Sequence, residues 1–194
     1  MASINTAVTV DRFSKGAKSF NEWIESINSR QDQFTQHYKD YVPEESLLKE
    51  FQEIGNANGL KILILGEEWC PDVWRGLPVL AKITENTKIE VRYLVRDDNQ
   101  DIMSEFLNGE FQSIPTIIFY DKDLNYLFHW IERPEEANNK MSELRDKHLS
   151  NVPNEGEIKD AAMKAFRKEI SLHAESWRHL TLQEFVSKLK ESLQ

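Results

Sequence analysis

The sequence predicts an α/β protein, a mixed sheet of about four strands flanked by helices, with helical extensions at both ends. Three observations carry that expectation. Lys61 to Leu65 is a short run of β-branched residues and leucine, the pattern of a strand buried on both faces. Helical and strand periodicities then alternate as far as Leu107. Finally, Thr116 to Tyr120 and Tyr126 to Ile131 read as strands separated only by the turn-rich Asp121 to Asn125. That connection is too short for a crossover, so the two strands must form an antiparallel hairpin.

Taken in order, Phe20, Trp23, Ile24, Ile27, Phe34 and Tyr38 recur at helical spacing between Ser19 and Tyr41. The Gln-rich middle, Gln31 to Gln36, leaves open whether this is one helix or two. Pro43, with Glu44 and Glu45, opens a helix carrying Leu47, Leu48, Phe51 and Ile54, which Gly55 and Asn56 are expected to close. After the first strand, Val73, Leu77, Leu80 and Ile83 mark a helix from Pro71 to about Glu85. Lys88 to Val95 returns to strand character, and Asp101 to Leu107 reads as a short helix ended by Asn108 and Gly109. Beyond the hairpin, Pro134 opens a helix toward Lys147, and Asn151 to Glu155 has the composition of a linker. Ile158, Ala162, Ala165, Phe166 and Ile170 mark another helix. Thr181 and Glu184 then form a capping-box pattern ahead of Leu182, Phe185, Val186 and Leu189. This tail is amphipathic and is expected to pack on the core or on a second subunit. The division that follows is an N-terminal helical extension (1–57), a central α/β domain (58–148) and a C-terminal helical extension (149–194), expected to form one unit.

Composition narrows the function. The 194 residues include 24 basic and 33 acidic side chains, a formal net charge of −9. An acidic chain with no dense Lys/Arg block repels phosphate backbones, so nucleic acid is not an expected partner. The apolar runs are only a few residues long, which argues against a membrane span. Met1 to Lys15 lacks the basic stretch and apolar segment of a secretory signal, so the expected location is cytoplasmic. The most restrictive count is a single cysteine, Cys70. It excludes a disulfide within the chain and any multi-thiolate metal site.

The residues around that cysteine carry a resemblance. Trp69, Cys70, Pro71, Asp72, Val73, Trp74, Arg75, Gly76, Leu77 and Pro78 follow the first strand. This segment resembles the active-site segment of the thioredoxin family, especially the branch with Pro-Asp between two cysteines. The family pattern is Trp-Cys-x-x-Cys with a helix proline eight residues after the first cysteine, where Pro78 stands. A second family mark is a cis proline opening the third strand after a small aliphatic residue, and Ile114, Pro115 and Thr116 match it. The resemblance spans Leu60 to Lys147. It implies a thioredoxin fold, and a nucleophilic role for Cys70 toward protein disulfides.

The departure from the family pattern matters as much as the match. Val73 stands where the family places its second cysteine, and Ile64 stands where the thioredoxins proper carry a buried Asp. A lone thiol completes only the first half of the family's cycle and needs an external thiol to resolve the mixed disulfide. Cys70 before Pro71 is expected at the N-cap of a helix, where unpaired amides favour the thiolate. Asp72 in the same turn, with Glu67 and Glu68 nearby, opposes that, and Arg75 is the one close cation in sequence. The bland alternative is a buried, inert cysteine serving as a small apolar side chain. Ile114 and Pro115 would form a docking edge for an extended substrate if the bond is cis, as the resemblance implies, or merely begin an edge strand if it is trans. Trp69 would wall the site, and Trp74 would be either site rim or core.

The remaining signals are weaker. The five histidines, at 37, 129, 148, 173 and 179, show no metal-binding spacing. Asp97, Asp98 and Asp101 lie at a strand-to-helix junction and read as capping residues, not as a calcium loop. No phosphate loop, dinucleotide fingerprint or Ser/His/Asp arrangement is present, so neither a cofactor nor a metal is expected. Two functions remain. One is monothiol thiol-disulfide exchange through Cys70, on a protein disulfide or mixed disulfide, with a low-molecular-weight thiol as one resolving agent. The other is a non-catalytic module whose groove, bounded by Trp69, Pro71, Asp72, Trp74, Ile114 and Pro115, holds a peptide or protein partner. The oligomeric state is not legible.

Overall fold

A computed structural model describes residues 6–194; Met1 to Asn5, part of the stretch read for a secretory signal, lie outside it. Four strands, β1 (Lys61–Gly66), β2 (Glu90–Val95), β3 (Thr116–Tyr120) and β4 (Tyr126–Ile131), form one sheet in the order β2-β1-β3-β4. β1 and β2 are parallel, while β3 is antiparallel to both β1 and β4. This is the mixed sheet expected from a βαβ unit followed by a hairpin. β1 and β3 lie at its centre, and Ile62 to Leu65 and Ile117 to Phe119 have at most 1% of their surface exposed.

Nine helices surround the sheet among the described residues: α1 (Val10–Ser14), α2 (Phe20–Ser26), α3 (Gln31–Asp40), α4 (Glu45–Asn58), α5 (Pro71–Thr84), α6 (Gln100–Met103), α7 (Glu135–Leu149), α8 (Glu157–Leu172) and α9 (Ala174–Ser192). The stretch from Ser19 to Tyr41 is two helices, broken where Arg30 takes a left-handed conformation at φ 69°. The short α1 lacks a periodic apolar stripe; Thr9 caps it and Phe13 anchors it. Just after it, Ala17 exchanges two backbone hydrogen bonds with Tyr93, at 2.9 and 3.0 Å, covering the otherwise open edge of β2.

Four sequence expectations are corrected. Gly55 does not end α4; it is buried within it, where a Cβ would lie 2.6 Å from Cδ1 of Ile89. The terminator is Gly59, left-handed at φ 59°, so the earlier glycine serves close packing and the later one the turn. The helix at Asp101 ends at Met103, and Asn108 and Phe111 close a turn beyond it. No side chain of the acidic cluster caps it; Asp101 instead pairs with Arg12 on α1 at 2.5 Å. The apparent capping box at Thr181 lies in the middle of α9. Its Thr hydroxyl donates to the Trp177 carbonyl at 2.9 Å. The Glu184 carboxylate accepts from the Trp130 indole at 2.7 Å and from the Glu135 amide at 2.8 Å. Glu184 thus caps α7 across space, a use its local spacing does not reveal.

The main core joins both sheet faces to α2–α5 and to Leu182, Phe185, Val186 and Leu189 of α9. A second apolar cluster holds α7, α8 and the start of α9 together through Met141, Leu144, Phe166, Ile170 and Trp177. No helix is long and apolar enough to cross a membrane among the described residues.

Candidate functional site

β1 ends at Gly66, and the chain turns through Glu67, Glu68 and Trp69 to Cys70, the N-cap of α5, with Pro71 in its first turn. Proline suits that position because its missing N–H would have had no helical partner. The Cys70 amide donates to the Glu67 carbonyl at 3.2 Å, which closes the turn and fixes the sulfur at the start of the helix. Opposite stands the Ile114–Pro115 bond, which is cis. The Cys70 thiol donates to the Ile114 carbonyl across 3.6 Å. Cys70 is 9% exposed and Ile114 4%, so thiol and carbonyl meet beneath the surface.

The charges around the sulfur oppose one another. Burial is the largest influence and pushes the Cys70 thiol up from its usual range. The amides of Val73 and Asp72 at the start of α5 favour the thiolate, while the carboxylates of Asp72 and Glu132 disfavour it. Asp72 is itself held by Arg133, at 2.6 and 3.4 Å, and lies 3.8 Å from Arg75. Sequence reading missed Glu132 and Arg133. Strand register locates them: Thr116 pairs with Ile131, so the residues after β4 must face Pro115. The Glu132 amide donates to the Pro115 carbonyl at 2.8 Å, and Glu132 takes a left-handed conformation there, at φ 61°.

The two tryptophans separate. Trp69 is 55% exposed beside the thiol, with the Arg96 guanidinium 5.5 Å from its ring. Trp74 is half-buried between α3 and α5, stacked on His37 at 5.6 Å and covered by Arg75 at 4.8 Å, which places it with the core rather than the rim. Val73 is fully buried, and its Cγ1 lies 3.0 Å from where a Cβ on Gly66 would stand, so it fills the space between α5 and β1. Among the described residues no group of three His, Cys, Asp or Glu side chains converges to hold a metal.

Removing the Asp72 charge while keeping the shape tests this balance. Asp72→Asn deletes a repulsive carboxylate and frees the Arg133 guanidinium to face the sulfur, and both changes favour the thiolate. The midpoint of a pH series of iodoacetamide rates on Cys70 is expected to fall, with a severalfold faster reaction near pH 7. An unmoved midpoint would show that Asp72 does not act on the sulfur.

A sequence-family profile described as thioredoxin matches residues 17–145. Among solved structures, a protein of unknown function from Pseudomonas aeruginosa is 19% identical with a TM-score of 0.67, covering 96% of this chain and 99% of its own. An HIV epitope-scaffold protein is 18% identical with a TM-score of 0.66, covering 95% and 99%. At these identities the likeness concerns the fold, and it includes the helices at both ends. A thioredoxin mutant from Halobacterium salinarum is 20% identical over 58% of this chain and 92% of its own, with a TM-score of 0.32. No protein of curated function matches the chain.

Proposed function

The chain belongs to the thioredoxin family, and from that premise we propose that it is a monothiol variant in which Cys70 exchanges thiols and disulfides and Val73 replaces the second cysteine of a Trp-Cys-Pro-Asp-Cys motif. The observation that carries this reading is the placement of the one sulfur at the N-cap of α5, within hydrogen-bond reach of the carbonyl of Ile114 beside cis Pro115. Trp69, Pro71, Ile114 and Pro115 bound the approach to it, and Asp72 with Arg133 and Glu132 sets its charge.

In the proposed cycle the Cys70 thiolate attacks one sulfur of a substrate disulfide. The S–S bond breaks, the other substrate sulfur leaves as a thiolate and takes a proton from water. An external thiolate then attacks the Cys70 sulfur and displaces the second substrate thiolate. A second external thiolate attacks the external sulfur now bound to Cys70, restoring the Cys70 thiolate and releasing the external disulfide. Two external thiols are oxidised for each substrate disulfide reduced. Such a cycle fits a reducing compartment, and we place the protein in the cytoplasm.

A second reading rests on the thiol's burial and its upward-shifted pKa, both unfavourable to rapid attack. In it the same groove holds a peptide partner and Cys70 is a packing residue. Insulin reduction with dithiothreitol as the external thiol separates the two. The wild-type chain is expected to accelerate insulin precipitation, and Cys70→Ser to return the rate to that of dithiothreitol alone. Equal rates for the two proteins would discard the exchange reading in favour of the binding module.

A further inference from the structure

Arg178 of α9 is only 8% exposed, yet no carboxylate among the described residues pairs with it; Asp40 and Glu175 act on its charge from a distance. Its Nε has no hydrogen-bond partner, and one terminal nitrogen donates to Nδ1 of His37 at 3.1 Å. A guanidinium can only donate, so the His37 ring must accept and is neutral. Burial, with Arg178 and Arg75 close by, holds it in that form, its pKa lowered to about 4. Arginine does not deprotonate in proteins, and a buried charge with no opposite charge beside it is costly.

The unmatched charge faces a cleft. Arg178 and Arg75 line a cavity of about 30 Å³ between α5, the β4–α7 connection and α9, together with Arg133, Asp72 and Glu132. Asp72 is held by Arg133 at 2.6 Å and lies 3.8 Å from Arg75, too far for a hydrogen bond, while Glu132 approaches Arg133 at 3.5 Å. Arg75 rests instead on the Trp74 ring, at 4.8 Å. Three guanidiniums therefore meet two carboxylates, and the uncovered positive charge lies with Arg75 and Arg178. Trp130, Trp177 and Pro134 complete the wall, and their apolar surface leaves that charge weakly screened. About 10–15 Å³ suffices for one water, so the cavity has room for a single small ion.

We propose that this cleft binds one small monovalent anion, chloride or the head of a short carboxylic acid, between Arg75 and Arg178. The anion accepts charge-assisted hydrogen bonds from both guanidiniums and supplies the negative charge that the chain does not bring to Arg178. It thereby bridges α5 to α9. Size and charge set the selectivity: the cavity excludes a larger anion, and Asp72 and Glu132 on the same wall repel a divalent one. Binding requires nothing of the Cys70 thiol, so it stands apart from the exchange reading.

Thermal melts of the full chain test this at one pH and one ionic strength, with sodium gluconate replaced stepwise by sodium chloride or by sodium formate. Gluconate is too large for the cleft and serves as the blank. The melting temperature is expected to rise along a saturating curve, by about 3–6 °C once the anion stands at ten times its dissociation constant. The salt with the lower half-saturation, chloride or formate, identifies the preferred occupant. Arg75→Gln and Arg178→Gln are each expected to abolish the saturating rise. Arg75 is 21% exposed, so its variant decides the matter even if the buried Arg178 tolerates no change. A wild-type rise that never saturates, or a saturating rise that persists in Arg75→Gln, would overturn the proposal. Crystals soaked in bromide give a second measure: an anomalous peak is expected between the two guanidiniums, and its absence at a concentration that saturates the melt would reject the site.

Discussion

Val73→Cys is expected to convert the protein into a dithiol reductase that turns over insulin at least about tenfold faster than the wild-type chain under the same dithiothreitol supply. The gain comes from replacing a bimolecular resolving step by one within the molecule. Residues 70 and 73 bracket the first turn of α5, and the amide of Val73 donates to the carbonyl of Cys70 at 3.1 Å. By helix geometry the α-carbons of residues three apart lie about 5 Å from each other, inside the span of about 4.4–6.8 Å that a disulfide bridges between α-carbons. The cost is small. Cysteine is a compact apolar side chain, and trimming a buried β-branched residue by about one carbon destabilises by about 0.5–1.5 kcal/mol. Two measurements check the result: a loss of two mass units on oxidation, and the insulin assay. A variant that forms the bond but reduces insulin no faster would reject Cys70 as the attacking thiol. A variant that never forms it would show that position 73 does not reach the sulfur.

The legible parts of this fold are those set by local geometry. Five residues between Tyr120 and Tyr126 leave only a hairpin, and Pro71 after Cys70 leaves only a helix start. The elements that resisted reading are those whose local signals are spent on distant partners. Gly55 resembles a helix stop but is small because Ile89 presses on it, and Thr181 with Glu184 resembles a cap whose carboxylate in fact serves Trp130 and the start of α7. At the site, sequence neighbours located the sulfur and its helix, and the family resemblance pointed to the cis proline. They did not find Arg133, the cation that holds Asp72, because it lies 61 residues away and is brought near only by the β3–β4 register. Arg75 is the one close cation in sequence, but in space Arg133 approaches Asp72 to 2.6 Å and Arg75 only to 3.8 Å.

Phe185→Ala is expected to lower the melting temperature by about 10 °C, from a loss of about 3–5 kcal/mol, and to leave a single cooperative transition. Phe185 lies in α9, in the segment that composition separates from the central α/β domain. Yet it is fully buried in the main core, with its ring 5.2 Å from Phe119 of β3, 5.3 Å from Trp130 of β4 and 6.4 Å from Phe51 of α4. A side chain placed among three elements of the central unit leaves a cavity that none of them can close alone, which puts the cost at the upper part of the range for core truncations. The consequence reaches the thiol, because α9 packs on α5, whose N-terminus carries Cys70, and Glu184 one residue away ties α9 to Trp130 and to α7. If the C-terminal segment folds as one body with the sheet, truncating Phe185 lowers the unfolding temperature and advances Cys70 alkylation on heating together. A two-step melt, or a shift below about 2 °C, would instead mean that 149–194 is an appendage whose helices contribute little to holding the site.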